Sequence, residues 1–313
     1  MGIKMKAYKA IINPISTFGT TLRGDTIFGH LCWVLRYKFG ESKLNELLKS
    51  YENEPFLIVS DAFLSSNLPK PKAPSFCLNE NLENKKENRK KIWLSLEDLQ
   101  NGSFANAKEE AQILNKSKEE PQILNKSEAV VKNSLNYKSF CTGESAEFAP
   151  YSEIENVVPK SDIYFLLDES KLQASELKQA LEFLAKMGYG KNASTGKGRF
   201  LLDDFSEFKA PLIKNDANAL MSLSPCVLDD TFKNCYYEPF TRFGKHGGDL
   251  ANDRPFKKPI LLADSAAVFW SDTAAQKGYA GKAIKSHSAH KNTYHQGYAI
   301  VVSTKIRLDN ETL

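Results

Sequence analysis

The pattern of apolar and polar positions predicts a strand at residues 5–12, which Asn13 and Pro14 end. A helix follows, with Asp25 as its N-cap, because apolar residues then recur at helical spacing. The same reasoning predicts a short helix at 41–50, strands at 55–60, 162–167 and 199–202, and an amphipathic helix at 173–187. These elements follow the order β-α-β, a long segment, and β-α-β, which is the order of a ferredoxin-like domain.

The second part of the chain shows short strand-like runs near 218–228, 234–243, 259–270 and 297–307. They predict a second, degenerate domain of the same kind. The predicted fold class is therefore α+β, with two ferredoxin-like (RRM-type) domains, at residues 1–210 and 211–313, and a long insertion in the first.

The insertion, at about residues 80–148, is rich in Asn, Lys, Glu and Ser and contains a tandem repeat. The two copies are KEEAQILNKS at 108–117 and KEEPQILNKS at 118–127. Two short copies are too few for a solenoid, and the polar composition predicts an exposed, flexible segment. We expect residues 105–130 to be removable without loss of folding.

Composition limits the class of protein. The 313-residue chain has a formal net charge of +4, which is too small by itself to indicate nucleic-acid binding. Its five cysteines include no C-x-x-C pair, so we expect reduced thiols and neither disulfides nor a zinc site. The N-terminus lacks the pattern of a signal peptide, and the apolar runs are too short to span a bilayer, so we expect a cytoplasmic protein without membrane contact.

A glycine-rich segment at residues 188–200, GYGKNASTGKGRF, carries the strongest local signal. Its glycines allow a close approach of ligand to backbone, and Lys191, Lys197 and Arg199 add positive charge. It is not a phosphate-binding Walker loop, because glycine follows Lys197 where Ser or Thr is required. The segment is typical of a phosphate-binding loop, and an ordinary hairpin with solvated lysines remains an alternative.

A basic segment without acidic residues extends from Thr273 to Leu308, with five lysines, one arginine, three histidines and interleaved tyrosines. This combination suits single-stranded nucleic acid, whose phosphates need cations and whose bases stack on aromatic rings. The histidines do not predict a metal site, because no cysteine or carboxylate lies near them in the sequence.

His30 lies in the first predicted helix, beside its apolar positions. A histidine there is either a general base for RNA cleavage or a structural residue. Asp25 is explained by capping alone, without catalysis.

Several of these segments resemble a known family. Residues 18–33, FGTTLRGDTIFGHLCW, are similar to the N-terminal signature of the fourth subunit of the Csm complex, a member of the RAMP superfamily of RRM-like proteins in type III-A CRISPR systems. Similar blocks follow in order to about residue 303, at 60–63, 68–72, 188–200, 237–246, 256–260 and 295–299. Residues 80–148 match nothing in that pattern, and Ala266 and Ala267 stand where it has a glycine.

The resemblance implies a non-catalytic subunit that binds the 5′ repeat-derived tag of the CRISPR RNA and requires no cofactor. It also implies contacts with the large Cas10-type subunit, with the backbone RAMP subunit, and with target RNA near the guide 5′ end. The residues that we expect to bind RNA are Phe18, Arg23, Lys191, Asn192, Ser194, Thr195, Lys197, Arg199, Arg242, Lys245, His246, His287, His290 and His295.

The resemblance further suggests a hairpin that lies across the guide, formed by the stretches 76–99 and 137–151, with Phe76, Trp93, Phe140, Phe148 and Tyr151 as wedging residues. The alternative is that these aromatic residues only pack the hairpin on its own domain. Two other functions remain open. One is a CRISPR-RNA-processing endoribonuclease of the same superfamily, with His30 as the base. The other is an architectural subunit that contacts only protein.

Overall fold

The computed structural model describes residues 5–114, 126–143 and 148–308. Its first part contains strands β1 (Lys6–Pro14), β2 (Leu57–Leu64), β3 (Leu68–Pro69), β4 (Trp93–Leu94), β5 (Lys126–Lys132), β6 (Tyr151–Val157), β7 (Ser161–Leu167) and β8 (Phe200–Glu207). The helices of this part are α1 (Gly24–Phe39), α2 (Glu41–Lys49), α3 (Lys85–Lys90), α4 (Leu96–Asn101), α5 (Glu110–Leu114) and α6 (Ala174–Met187).

The first sheet has the strand order β2-β7-β1-β8, and all its neighbours are antiparallel. Helix α1 connects β1 to β2, with α2 after it, and α6 connects β7 to β8. This is the β-α-β-β-α-β order of a ferredoxin-like unit. The strands predicted at 5–12, 55–60, 162–167 and 199–202 and the three predicted helices are confirmed. They were predictable because the helices have a periodic apolar face, and the strands are short apolar runs such as β7, which is buried at every position.

A bulge interrupts β2 between Val59 and Ala62. It turns the backbone of Asp61 toward the second part of the chain, where its N–H donates to the carbonyl of Leu223 at 2.8 Å. The side-chain amide of Gln296 makes a second link, because it bonds both the N–H and the carbonyl of Val59, at 2.9 and 2.8 Å. The bulge thus joins the two parts of the molecule.

The second part contains strands β9 (Ala219–Ser222), β10 (Cys235–Tyr236), β11 (Pro239–Arg242), β12 (Ile260–Ala263), β13 (Val268–Phe269), β14 (Tyr279–Gly281) and β15 (Tyr298–Thr304), and helix α7 (Asp272–Lys277). Five of these strands form an antiparallel sheet in the order β10-β13-β9-β15-β14, and β11 pairs with β12 as a separate ribbon. All four predicted strand regions contain strands, in shorter pieces. Since α7 is the one α-helix among residues 211–308 that the structure describes, a second ferredoxin-like domain is not confirmed.

Buried residues of both sheets belong to one hydrophobic core, which includes Phe28 from α1 and Met221 and Tyr298 from the second sheet. The Tyr298 hydroxyl donates to the carbonyl of Glu52 at 2.5 Å, which ties β15 to the end of α2. The division into domains at residue 210 therefore stays a prediction.

The segment around α4 corrects the expectation for residues 80–148. Leu94, Leu99 and Phe104 are buried in the shared core. The hydroxyl of Thr304 donates to the carbonyl of Leu99 at 2.8 Å, and the Gln100 amide donates to the carbonyl of Pro211 at 2.8 Å. The polar composition predicted too little burial, because a few well-spaced apolar residues are enough to attach a short helix to a sheet.

Most of the tandem repeat at 108–127 lies outside the described residues, namely positions 115–125. Within residues 105–130, the structure gives buried positions to Ala107 and Leu114 and includes most of β5. Removing this segment would take away these buried groups and part of the β5–β6 pairing. That the chain folds without residues 105–130 stays a prediction. Among the described residues, no helix is both long and apolar enough to cross a membrane.

We predict that Leu99→Ala lowers the free energy of unfolding by about 2–5 kcal/mol, because it leaves a cavity under β15. Urea denaturation measures this as a lower midpoint at unchanged slope. The matched control is Leu135→Ala in the same long segment, since Leu135 is 54% exposed and is expected to change little. Equal midpoints for Leu99→Ala and Leu135→Ala would contradict the burial of α4.

Candidate nucleic-acid interface

The glycine-rich loop is fixed to the segment between β1 and α1. Tyr189 is fully buried, and its hydroxyl donates to the carbonyl of Thr21 at 2.8 Å. The N–H of Gly198 donates to the carbonyl of Thr17 at 2.8 Å. Gly198 has a φ of +72°, and a Cβ there would lie 2.1 Å from the carbonyl oxygen of Tyr189, so only glycine fits this turn.

His30 positions the same loop from α1. Its Nε2 accepts a hydrogen bond from the N–H of Gly190 at 3.1 Å, and its ring lies 4.9 Å from that of Tyr189, centre to centre. Burial lowers the pKa of His30 to about 4, so the ring is neutral near pH 7 and keeps a lone pair for this bond. The geometry gives His30 a structural role, because the nitrogen that a general base needs is already in use.

The lysines of the loop have acidic partners on β6. Lys191 Nζ lies 2.6 Å from Glu153 Oε1, and Lys197 Nζ lies 2.6 Å from Glu155 Oε2. Hydrogen bonds, from Lys132 to Glu153 and from Lys197 to Glu155, lower the pKa of both carboxyl groups to about 2. The loop itself contains no acid, but the fold supplies two. Nothing in the loop segment itself predicted them, because they lie more than thirty residues away on β6.

The polar residues of the loop divide into paired and free groups. The Asn192 amide donates to Glu153 Oε2 at 2.6 Å, and the Thr195 hydroxyl donates to the carbonyl of Asn192 at 2.9 Å. Ser194 and Arg199 are exposed, and Arg199 makes no ion pair within the described part of the chain. Arg199 is therefore the cation of the loop that is available to a phosphate without losing a partner.

Phe18 lies beneath the loop and is fully buried, with its ring against that of Tyr189 at 6.2 Å. Its side chain is therefore not available to stack on a base. It supports the loop from below, and the sequence did not separate this packing role from a stacking role.

Arg23 is held by two carboxylates that the fold brings together. Its Nη1 donates to Asp61 Oδ2 at 3.0 Å and to Asp264 Oδ1 at 2.6 Å. Asp61 also accepts from the N–H of Gly24 at 2.7 Å, and Lys72 Nζ lies 2.6 Å from Asp264 Oδ2. Burial raises the pKa of Asp61 to about 6 despite Arg23. Removing the guanidinium would leave a buried carboxylate without compensation.

Arg242 makes a similar contact with Asp25 at the start of α1. Its Nε and Nη2 donate to the two oxygens of this carboxylate, both at 2.7 Å. The ring centre of Phe240 lies 5.1 Å from the guanidinium carbon of Arg23 and 4.8 Å from that of Arg242. Both arginines are thus engaged inside the protein, so neither offers a free charge to RNA.

The four candidate histidines form two neighbouring pairs. His287 and His295 have ring centres 5.8 Å apart, and His246 and His290 have ring centres 5.0 Å apart. His295 Nε2 lies 3.4 Å from an oxygen of Asp25. His246 Nε2 lies 2.7 Å from the hydroxyl of Ser288, and His290 Nε2 lies 2.7 Å from the carbonyl of Asp253.

Burial, together with the nearby Lys257 ammonium, lowers the pKa of His246, His287 and His295 to about 4. These rings are therefore neutral near pH 7, so they do not attract phosphate by charge. Within the described residues, no group of three or more His, Cys, Asp or Glu side chains is arranged to hold a metal ion. Lys245, a further residue that we expected to bind RNA, is exposed. Its ammonium lies 5.5 Å from the ring centre of Phe256.

A hairpin of β5 and β6 carries exposed aromatic residues near its tip. The side chains of Tyr137 and Phe140 are 86% and 80% exposed, and Tyr151 is 45% exposed. The stretch 76–99 does not belong to this hairpin, which corrects the expectation from the sequence. Trp93 packs against the core there, next to the buried Leu94.

Comparison with solved structures identifies the fold. One match, in a Csm1–Csm4 cassette in complex with pppApA, has a TM-score of 0.55 and 16% sequence identity and covers 97% of this chain and 100% of the solved chain. Another, in a Csm3–Csm4 subcomplex of the type III-A CRISPR-Cas interference complex, has a TM-score of 0.60 and 14% identity and covers 95% and 99% of the two chains.

The chain has the fold of Csm4. No family model and no curated protein matches the sequence, so the likeness to Csm4 rests on structure. Since the match covers nearly the whole chain, both parts of the molecule belong to that fold.

We predict that Arg23→Ala lowers the free energy of unfolding by about 3–5 kcal/mol, because it leaves Asp61 buried without its partner. Arg199→Ala removes the same side chain from an exposed position and is expected to change stability by less than about 0.5 kcal/mol. Thermal and urea denaturation of both variants measure the difference. If Arg23→Ala is as stable as Arg199→Ala, Arg23 is not a structural residue.

Proposed function

We propose that this chain is a non-catalytic subunit of a type III-A CRISPR RNA-guided interference complex. In this role it binds the 5′ repeat-derived tag of the CRISPR RNA and links the large Cas10-type subunit to the backbone subunits. The observation that carries the proposal is the match of nearly the full chain to Csm4, which was solved with Csm1 and, separately, with Csm3. By analogy, this chain has one partner of each kind.

The glycine-rich loop supports RNA binding. Four N–H groups of the loop donate to α1 or to the segment before it, those of Gly190, Lys191, Gly198 and Arg199. They fix the loop so that Lys191 and Arg199 are exposed and Lys197 is partly exposed. For the two lysines, an RNA phosphate competes with Glu153 and Glu155, whereas Arg199 binds without competition. This arrangement favours an RNA backbone over a small anion, because several charges line one surface.

The β5–β6 hairpin supports a contact with target RNA near the guide 5′ end. Apolar wedges unstack neighbouring bases at a cost of a few kcal/mol per step, which backbone contacts offset. Tyr137 and Phe140 have the exposure that such wedges need. We propose that the tip of this hairpin interrupts the guide–target duplex.

The structural role of His30 supports a subunit without ribonuclease activity. The endoribonuclease alternative requires a base near the loop, and the Nε2 of His30 already accepts from Gly190. A subunit that contacts only protein does not require a loop with an unpaired arginine. A measurement of RNA binding by the purified chain distinguishes an RNA-binding subunit from such an architectural subunit.

We predict that replacing Lys191, Lys197 and Arg199 together by alanine weakens binding to tag-bearing RNA and lowers the salt dependence of binding. The expected change in slope is about 0.7 per lost contact, or about 2 for three contacts. Fluorescence anisotropy over a range of salt concentrations measures it. The control replaces three exposed lysines elsewhere, Lys49, Lys178 and Lys209, by alanine. It loses three positive charges, as the loop variant does, so the two variants have the same net charge. Equal salt dependence of binding for the two triple variants would contradict the assignment of the loop as the RNA site.

We predict that repeat RNA incubated with the purified chain in the absence of metal stays intact. His30→Ala is expected to change stability, since it leaves the N–H of Gly190 without its acceptor, but not RNA chemistry. Gel analysis of end-labelled RNA with the parent and His30→Ala proteins tests this. Cleavage by the parent that His30→Ala abolishes would identify an endoribonuclease instead.

A further inference from the structure

The β11–β12 pair continues beyond its named ends. Its register joins Arg242 to Ile260 and Pro239 to Ala263. Further out, Lys245 pairs with Phe256, and the N–H of Lys257 donates to the carbonyl of Gly244 at 2.9 Å. We call residues 239–246 and 255–263 together the ribbon.

Side chains alternate between the two faces of such a ribbon, and paired residues share a face. The register shifts by one residue between the pair of Arg242 with Ile260 and the pair of Lys245 with Phe256, so the alternation is interrupted once in the second strand. The inward face carries polar groups that are tied to α1 and the histidines. Arg242 bonds Asp25, His246 is buried, and burial lowers the pKa of Lys257, which lies on the same face.

The outward face carries exposed apolar groups. Phe243 and Phe256 are each 75% exposed, and Leu261 is 69% exposed. The remaining members of this face, Thr241, Lys245 and Lys258, are also exposed. The inward face also contains the buried Ile260 and Leu262, which pair with Arg242 and Phe240, so the outward face exposes large apolar side chains that the core does not use.

The charges of the ribbon indicate which kind of partner binds its outward face. The ribbon contains no Asp or Glu in either strand, and the Lys245 ammonium lies 5.5 Å from the ring centre of Phe256. Lysine is depleted at the centres of protein–protein interfaces. Single-stranded nucleic-acid sites, in contrast, combine aromatic rings with neighbouring cations.

We propose that the outward face of the ribbon is a base-stacking platform for single-stranded RNA. Phe243 and Phe256 stack on adjacent bases, and Lys245 and Lys258 contact the phosphates between them. Diagonal neighbours across an antiparallel pair lie about 7–8 Å apart, which suits rings that contact the same or adjacent bases. The inference rests on the proposed RNA-binding function and adds residues that act on bases where the glycine-rich loop acts on phosphates.

The test compares binding of the full-length chain to single-stranded RNA and to an abasic ribose-phosphate oligomer of equal length. Phe243→Ala and Phe256→Ala are each expected to weaken RNA binding roughly tenfold, the usual effect of losing one stacked base. Binding to the abasic oligomer is expected to stay unchanged. Phe243→Leu and Phe256→Leu keep apolar area but lose the ring face, and are expected to behave like the alanine variants.

The matched control is Phe183→Ala, which removes an exposed phenylalanine from the outer side of α6. A second readout replaces Phe243 by tryptophan, whose fluorescence RNA bases are expected to quench on stacking. Unchanged RNA affinity of both alanine variants would overturn the platform, and if the Arg199 variant still weakens binding, the proposed function survives. Loss of partner subunits with unchanged RNA affinity would make the face a protein interface. A parent chain that binds no single-stranded RNA would overturn both proposals.

Discussion

Two ion pairs, each between a buried carboxylate and an arginine, hold the site together. Asp25 at the start of α1 is paired with Arg242, and Asp61 in the β2 bulge is paired with Arg23. A buried carboxylate without a partner costs several kcal/mol, so each pair fixes the positions of the elements that carry it. Through these pairs α1, β2, β11 and the segment before Asp264 meet at one place. The glycine-rich loop lies beside that place, because Tyr189 accepts from the N–H of Arg23.

This constraint determines which charges are available to a ligand. Arg23, Arg242 and the buried histidines stabilise the protein, whereas Arg199 and Lys245 remain free at the surface. Lys191 and Lys197 are available only in part, because each is paired with a carboxylate on β6 that a ligand phosphate would have to replace. These carboxylates belong to the hairpin that also carries exposed aromatic rings. Free cations and exposed aromatic rings are the groups that single-stranded nucleic-acid sites combine, which is why we propose that role for these residues.

Local patterns were enough to predict the first sheet and its helices, because a periodic apolar face marks each helix and a short apolar run marks strands such as β2 and β7. The same method failed where pairing is long-range. The acids at 153 and 155 reach the loop only through the fold, and Leu99 is buried by a strand that lies far away in the sequence. Composition also gave no sign that Arg242 faces inward while Phe243, its neighbour, faces outward. That difference depends on the register of β11 with β12.

The measurement that tests the central claim most directly is purification of the tagged, full-length chain from cells that carry a type III-A system. Co-purifying proteins are identified by mass spectrometry, and co-purifying RNA is sequenced from its 5′ end. The account predicts a Cas10-type subunit, a backbone RAMP subunit, and RNA molecules that begin with the same repeat-derived tag. Recovery of the partner proteins with RNA that lacks a common 5′ sequence would contradict tag binding, and recovery of neither would contradict the assignment to this complex.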